Sequence, residues 1–478
     1  MIYDICIIGA GITGSLIARE LSRYKLKILV LEKENDVGNQ TTNANSAIIH
    51  SGYDPVPGTL KAKLNVLGNA KYDQLTKELD VSFKRIGSLT VAVEDEQLKM
   101  LEELKERSKE NGVEVKLLNH DEVLAIEPNI TKEVKGALLA PTAGIIDPFN
   151  LCVHAMENAM DNGVELQLNS AVSDIKKIGN TYEMHTKSGV YQSQIVINCA
   201  GNYADKIASM VEDIDWSINP RKGEYFVLDH FDDTFIKHTI FPLPSAKGKG
   251  ILVSPTYSGD YLVGPSSEFV DNKDDYATDA ATLNEVKNKS SLLVPNVPFG
   301  ETIRVFSGLR PTPSTHDFII KFSKNDDHFI NVAGIESPGL ASSPAIAEYV
   351  INNLVSKIVE LKEKEGFNPC VRPYIRMKYL DEAKKKEIIS KNSDFGDIIC
   401  NCEQVTLGEI KDALNRNCAP RSVKALKRRT RAGFGKCQGG FCQPPIVLIL
   451  AKHYNISPLD VLLDDEGSNI LLEKVKNK

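Results

Sequence analysis

Tyr3-Asp4-Ile5-Cys6-Ile7-Ile8-Gly9-Ala10-Gly11-Ile12-Thr13-Gly14 opens the chain as an apolar run that ends in a GxGxxG turn. Its neighbours decide how it is read. Residues 13–24 place apolar side chains at the helical period, and 27–31 form a second apolar run closed by Glu32. Strand, glycine turn, helix, strand and terminal acid make a βαβ unit of the dinucleotide-binding kind. Gly9 permits the tight turn, Gly11 lets backbone approach a pyrophosphate, and Gly14 lets the helix pack closely. The helix N-terminus at Ile12 and Thr13 favours phosphate charge. Glu32, with Lys33 after it, stands where an adenosine ribose would bind.

The rest of the chain sets this unit in a larger protein. Its 478 residues suffice for two to four domains, and 42% hydrophobic with 25% charged residues excludes wholesale disorder. A net charge of −7 disfavours nucleic acid as a partner. No apolar run approaches the roughly 18 residues of a membrane span, and the first strand begins almost at Met1, so neither signal peptide nor anchor is expected. Nine cysteines in such a chain point to a reducing, cytoplasmic setting. Residues 163–201 read as successive strands that join the first sheet. Residues 222–317, rich in Pro, Tyr and Gly breaks, read as an antiparallel sheet facing a substrate, and 345–362 as a long helix.

FAD and NAD both use the GxGxxG turn, and no second copy exists for a separate nicotinamide domain. The polar stretch Asn39-Gln40-Thr41-Thr42-Asn43-Ala44-Asn45-Ser46-Ala47-Ile48-Ile49-His50-Ser51-Gly52 resembles the segment after the second strand in the D-amino-acid-oxidase-like family of FAD-dependent oxidoreductases. Val196-Ile197-Asn198-Cys199-Ala200-Gly201, Gly308-Leu309-Arg310-Pro311 and Gly334-Ile335-Glu336-Ser337-Pro338-Gly339-Leu340 are similar to later cofactor segments of that family. The resemblance spans about residues 1–360. It implies FAD as cofactor, with Thr41, Thr42, Asn45, Ser46, Val172, Ala200, Gly201, Gly308, Gly339 and Leu340 joining the fingerprint residues around it. The implied fold is α/β. A Rossmann-like FAD-binding domain (1–80, 145–215, 318–363) carries an inserted antiparallel-sheet, α+β substrate-binding domain (81–144, 216–317). A linker (364–395), a small helical domain (396–460) and a tail (461–478) follow.

Two groups within the family compete. Ile49-His50-Ser51-Gly52, the run Pro57-Gly58-Thr59-Leu60-Lys61-Ala62-Lys63-Leu64 and Gly223-Glu224-Tyr225-Phe226 are similar to L-2-hydroxyglutarate dehydrogenases. The architecture with a C-terminal cysteine module resembles the catalytic subunit of anaerobic glycerol-3-phosphate dehydrogenases. Those enzymes follow His-x-Gly with Arg-Tyr, whereas this chain has Tyr53-Asp54-Pro55. Oxidising a secondary alcohol on a flavin needs a base near the hydroxyl, and His50 is the first candidate, with a side chain that titrates near neutrality. Its bland alternative is a buried histidine that only hydrogen-bonds its surroundings. Tyr225 is a candidate to orient the substrate oxygen, or else a core tyrosine. Arg310 offers a planar fork for an anionic end group, or else an ordinary salt bridge.

Cys400-Asn401-Cys402 is followed by Cys437-Gln438-Gly439-Gly440-Phe441-Cys442. Four thiolates in two close pairs could hold Zn or a [2Fe-2S] cluster. The segment resembles the bacterioferritin-associated-ferredoxin-like [2Fe-2S] domain, and CxC is unlike the CxxC knuckles of zinc ribbons. A Cys437–Cys442 redox disulfide is the remaining reading. From Arg416 to Lys436 eight residues are basic, Arg416, Arg421, Lys424, Lys427, Arg428, Arg429, Arg431 and Lys436, and none is acidic. These cations would offset the cluster's negative charge, or form a solvated face or docking surface; a nucleic-acid patch is disfavoured by the near absence of aromatics.

The parts imply a dehydrogenase that oxidises a small anionic alcohol, first sn-glycerol 3-phosphate to dihydroxyacetone phosphate, second L-2-hydroxyglutarate. Electrons would pass through FAD and the cluster to an electron-accepting protein subunit or quinone, with any membrane association made through a complex. In the reading from another class, the cysteine module only docks or senses.

Overall fold

A computed structural model describes residues 1–244 and 250–473. The strand Ile2–Ile8 lies parallel between Ile28–Leu31 and Gly189–Asn198, with Ile7 opposite both Val30 and Ile197. Its continuous apolar run follows from burial on both faces. Ile5 and Ile7 pack against the helices Ile12–Leu21, Pro148–Asp161 and Gly339–Asn353, while Cys6 and Ile8 pack with Tyr182, Met184 and Phe329 on the other side. The strands expected over 163–201 do join this eight-stranded sheet, as do Ile319–Phe322 and Phe329–Ala333 from far along the chain.

A nine-stranded, mostly antiparallel sheet stands beside it. Its long central pair is Ile218–Leu228 with Thr302–Pro313, and three strands from the first third of the chain (Ser88–Ala92, Lys116–Asn119 and Gly136–Ala140) extend it. Leu89, Val91, Ile240, Val253 and Val263 form its core together with Val286 of the helix Ala280–Leu293.

The helix expected over 345–362 is displaced toward the N-terminus and spans Gly339–Asn353. Pro344 lies inside it and cannot donate to the Leu340 carbonyl. The Tyr72 hydroxyl and the Ser343 hydroxyl donate to that carbonyl instead, so the helix runs through a residue that ordinarily ends one.

Within residues 364–395 the stretch from Val371 to Met377 packs onto the first domain, whereas the helix Glu382–Lys391 buries no residue. Tyr374 stacks on His154 with ring centroids 4.2 Å apart, and the Arg416 guanidinium lies 3.3 Å from the Tyr374 ring centre. Beyond this segment, the helices Leu407–Leu414, Val423–Thr430 and Gln443–Tyr454 enclose their own core of Ile410, Leu426, Ile446 and Leu450. The basic stretch changes meaning here. Arg416, Lys427, Arg428 and Arg429 are buried, and three of them face acids of the first domain. Arg428 and Arg429 share Asp36 at 2.9 and 2.7 Å, and Arg416 pairs with Glu157 at 2.8 Å. Burial alone would raise the Asp36 pKa, but Arg429 and Arg428 hold it below the usual carboxylate value. The segment read as a tail is also docked: Asp464 meets Arg428 at 3.2 Å, and its carbonyl accepts from the Asn35 amide.

Candidate active site and cluster site

A cavity of about 680 Å³ opens where the two large sheets meet. The fingerprint turn forms one end. Gly9 has φ +105°, and a Cβ there would stand 2.5 Å from the Cys199 carbonyl oxygen, so the turn requires glycine. Gly9, Gly11, Ile12 and Thr13 line the cavity. Gly14 does not; a Cβ there would lie 2.0 Å from the Gly9 carbonyl oxygen, so its part is to let the helix close on the turn. Glu32 is buried at the end of the second strand, accepting from the Ala10 amide at 2.6 Å and the Glu34 amide at 2.9 Å. Burial raises its pKa, opposed by the Glu34 and Ala10 amides. Lys33, Val172, Ala200 and Gly201 line the same end.

The polar loop runs along the cavity from there. Thr41, Thr42, Asn45 and Ser46 all line it. The Thr42 hydroxyl accepts from the first helical amide at Ile12, and Thr41 donates to the Leu309 carbonyl at 2.7 Å. Gly308 makes that crossing possible, since a Cβ on it would sit 2.1 Å from the Ala44 carbonyl oxygen. Gly308, Gly339 and Leu340 close the wall opposite.

His50, Tyr225 and Arg310 reach the same cavity from three elements. His50 follows the short strand Ile48–Ile49, and the Asn65 and Asn69 side chains hold its carbonyl at 2.7 and 3.0 Å. Its ring lies 5.8 Å from Phe241. Tyr225, 2% exposed, stacks on Phe306 at 4.7 Å and shares a hydrogen bond with Ser46 at 2.9 Å. Arg310 projects from the strand Thr302–Pro313. Sequence reasoning missed Arg221, Phe241, Leu252 and Ser266 on these walls. Arg221 was within reach: it lies four residues before Tyr225 on one strand, hence on the same face.

The arrangement suits a long cofactor and a small substrate. Glycines leave room for close approach of backbone to a ligand, and a buried acid, an imidazole, a phenol and a guanidinium line the same cavity.

In the C-terminal module, the Cys402 and Cys437 sulfurs stand 3.6 Å apart, and Cys400 and Cys442 lie close enough to shift each other's titration. Cys442 draws the Cys400 pKa down, and Cys400 pushes that of Cys442 up. None of the four is in a disulfide. Among the described residues no three His, Cys, Asp or Glu side chains converge as a metal site. The donor chemistry nonetheless fits an iron–sulfur cluster: four thiols in two adjoining pairs, with glycines beside them. A Cβ on Gly435 would lie 2.4 Å from the Cys402 Cβ, so this loop tolerates no larger residue. Arg431, in the left-handed conformation at φ +68°, ends the preceding helix and ties the module to the antiparallel-sheet domain. It meets Glu403 at 2.9 Å, Asp260 at 3.1 Å and the Tyr257 hydroxyl at 3.0 Å.

Residues 4–352 match the FAD dependent oxidoreductase family and residues 398–452 match the BFD-like [2Fe-2S] binding domain. The chain belongs to the FAD dependent oxidoreductase family and carries a [2Fe-2S] binding domain at its C-terminal end. It is 46% identical to a glycerol 3-phosphate dehydrogenase of Caloramator mitchellensis over 100% of this chain and 99% of that protein. It is 24% identical to the anaerobic glycerol-3-phosphate dehydrogenase subunit A1 of Haloferax volcanii, over 97% of this chain and 85% of that one. The dithionite-reduced L-α-glycerophosphate oxidase of Mycoplasma pneumoniae, solved with FAD bound, superposes with a TM-score of 0.74 at 30% identity, over 78% of this chain and all of that one. Among the described residues no helix is long and apolar enough to cross a membrane.

Proposed function

We propose that the protein is an FAD-dependent glycerol-3-phosphate dehydrogenase that sends electrons through its C-terminal cluster to a partner subunit in the cytoplasm. The convergence of the fingerprint loop with His50, Tyr225 and Arg310 in one cavity carries the reading. Segments 1–80, 145–215 and 318–363 hold FAD; 81–144 and 216–317 hold the substrate. FAD, when bound, supplies a two-electron acceptor and the cluster a one-electron carrier.

The protein's own groups do the rest. Oxidation at the secondary carbon removes its hydrogen as hydride and the hydroxyl hydrogen as a proton. His50 takes that proton as general base. Tyr225, fixed by Phe306 and Ser46, aligns the hydroxyl for that transfer. Arg310 holds the anionic end and so sets which carbon faces the cofactor. Cys400, Cys402, Cys437 and Cys442 hold the cluster.

L-2-hydroxyglutarate is the second substrate to test, because Tyr53-Asp54-Pro55 departs from the Arg-Tyr of glycerol-3-phosphate enzymes and Asp54 lines the cavity. Anaerobic mixing of the holoenzyme with each compound, followed at the flavin absorption band, separates them. Fast bleaching by glycerol 3-phosphate alone is the expected result. Bleaching by L-2-hydroxyglutarate alone reverses the assignment.

A further inference from the structure

Two arginines stand directly opposite each other on neighbouring strands of the substrate sheet. In the antiparallel pair Ile218–Leu228 and Thr302–Pro313, Arg221 faces Arg310, Gly223 faces Gly308 and Tyr225 faces Phe306. Directly opposed residues project to the same face, and both arginines line the cavity. Like charges in that position destabilise a sheet unless something anionic lies between or beside them. Burial lowers the Arg221 pKa, Glu336 opposes the shift, and Arg310 lowers it further.

The existing partners leave this charge incompletely answered. Arg221 gives one Nη2 bond to Glu336 at 2.9 Å, and its buried Nε has no acceptor. Glu336 is shared: Lys61 reaches Oε1 at 2.7 Å, and Thr312 donates at 2.9 Å to Oε2, the oxygen that Arg221 uses. Arg310 makes no ion pair among the described residues. Lys61 and Arg221 thus divide the single Glu336 carboxylate, and Arg310 has no acid paired with it among those residues. Gly223 gives the Arg310 fork its space, since a Cβ there would fall 2.9 Å from Nη2.

We propose that Arg221 and Arg310 form a two-armed clamp for a dianionic end group, and that Arg221 is the residue that selects phosphate over carboxylate. The inference rests on the proposed oxidation of a phosphate-bearing alcohol in this cavity. A phosphate monoester carries about −1.5 to −2 at pH 7 and three acceptor oxygens, enough for two guanidiniums. A single carboxylate carries one charge and two oxygens, which Arg310 alone satisfies. Glu336 competes for Arg221 and so tunes the second arm.

The test is calorimetric titration of the holoenzyme with inorganic phosphate and, separately, acetate, on wild type, Arg221→Gln, Arg221→Lys and Glu336→Gln. Flavin content and far-ultraviolet circular dichroism report folding for each. Phosphate should weaken about 10- to 100-fold in Arg221→Gln, with Arg221→Lys intermediate because a point charge replaces a fork. Acetate binding should be unchanged. Glu336→Gln should tighten phosphate severalfold, where a merely structural Arg221–Glu336 strut predicts weakening. In turnover, the Arg221→Gln loss should appear in KM rather than kcat. Phosphate binding within twofold of wild type in a folded Arg221→Gln overturns the clamp, as does failure of wild type to bind phosphate. If phosphate binding depends on Arg221 but glycerol 3-phosphate does not bleach the flavin, the clamp stands and the alcohol assignment falls.

Discussion

Replacing Asp36 by Asn should release the C-terminal module from the FAD-binding domain. Asp36 is 2% exposed and receives Arg429 at 2.7 and 3.0 Å and Arg428 at 2.9 and 3.2 Å. With Asp464 at 3.2 Å from Arg428, two carboxylates balance two guanidiniums. A neutral amide in place of the Asp36 carboxylate would leave one buried positive charge uncompensated, and removing one member of a buried pair costs about 3–5 kcal/mol. Arg428 keeps Asp464 and Arg429 keeps the Cys418 and Ala425 carbonyls, so the lower end, about 3 kcal/mol, is expected. That is about a hundredfold in the docking equilibrium. Limited proteolysis should show cleavage within 364–395 rising by that order, while denaturant unfolding should show a separate early transition. The pH dependence has a definite sign. The folded Asp36 pKa lies below its unfolded value of about 3.9, so the contribution is full above that value and lost as pH falls through the folded one. Docking should therefore stay constant from roughly pH 5 to 8 and fail only in acid. An Asp36→Leu, Arg429→Met double variant should recover part of the loss, because it removes the charge with its partner. Unchanged proteolysis and a single transition in Asp36→Asn would refute the docking role of Asp36.

Other consequences can be checked with the same holoenzyme. His50→Asn should slow substrate-driven flavin bleaching about 10²- to 10⁴-fold while the flavin spectrum and content stay intact; loss of flavin instead would make His50 a cofactor-holding residue. Cys437→Ser should remove the iron–sulfur absorption and turnover with the natural acceptor, yet leave flavin bleaching by substrate at its wild-type rate; turnover surviving cluster loss would favour the docking or sensing role. Gly308→Ala should yield protein with a low flavin-to-protein ratio, because its Cβ meets the Ala44 carbonyl and forces the 41–46 loop off the strand.

What could be read from the sequence was local or strongly patterned. The βαβ unit was legible because a buried parallel strand, a glycine turn and an amphipathic helix each leave a signature within a few residues. His50, Tyr225 and Arg310 were legible through their motifs, though nothing in the spacing says that residues 50, 225 and 310 share one cavity. The helix at 339–353 was misplaced because Pro344 reads as a break, and the hydroxyls that replace its missing donor come from Ser343 next to it and from Tyr72. No local pattern carries the Tyr72 part of that compensation.

The basic stretch is the more instructive case. Charge alone suggests a surface, because lone cations avoid burial. The partners that allow burial, Asp36, Glu157 and Asp464, are scattered along the sequence. One detail does distinguish the inward cations from the outward ones. In the helix Val423–Thr430, Val423 and Leu426 are core positions, and Arg428 and Arg429 share their burial, whereas Lys424 is only partly buried and Arg421 outside the helix is exposed. A run of arginines on a helix that also supplies core residues is thus a seam between domains as readily as a solvent face. This seam fixes the cysteine loop relative to the FAD-binding domain: Arg428 and Arg429 grip the loop after the second strand, while Arg431, two residues on, anchors the start of the cluster loop. The proposed electron path needs that rigidity, since transfer between two bound cofactors depends on a constant separation. The same cations that look like a docking patch therefore serve to hold two redox sites in one frame.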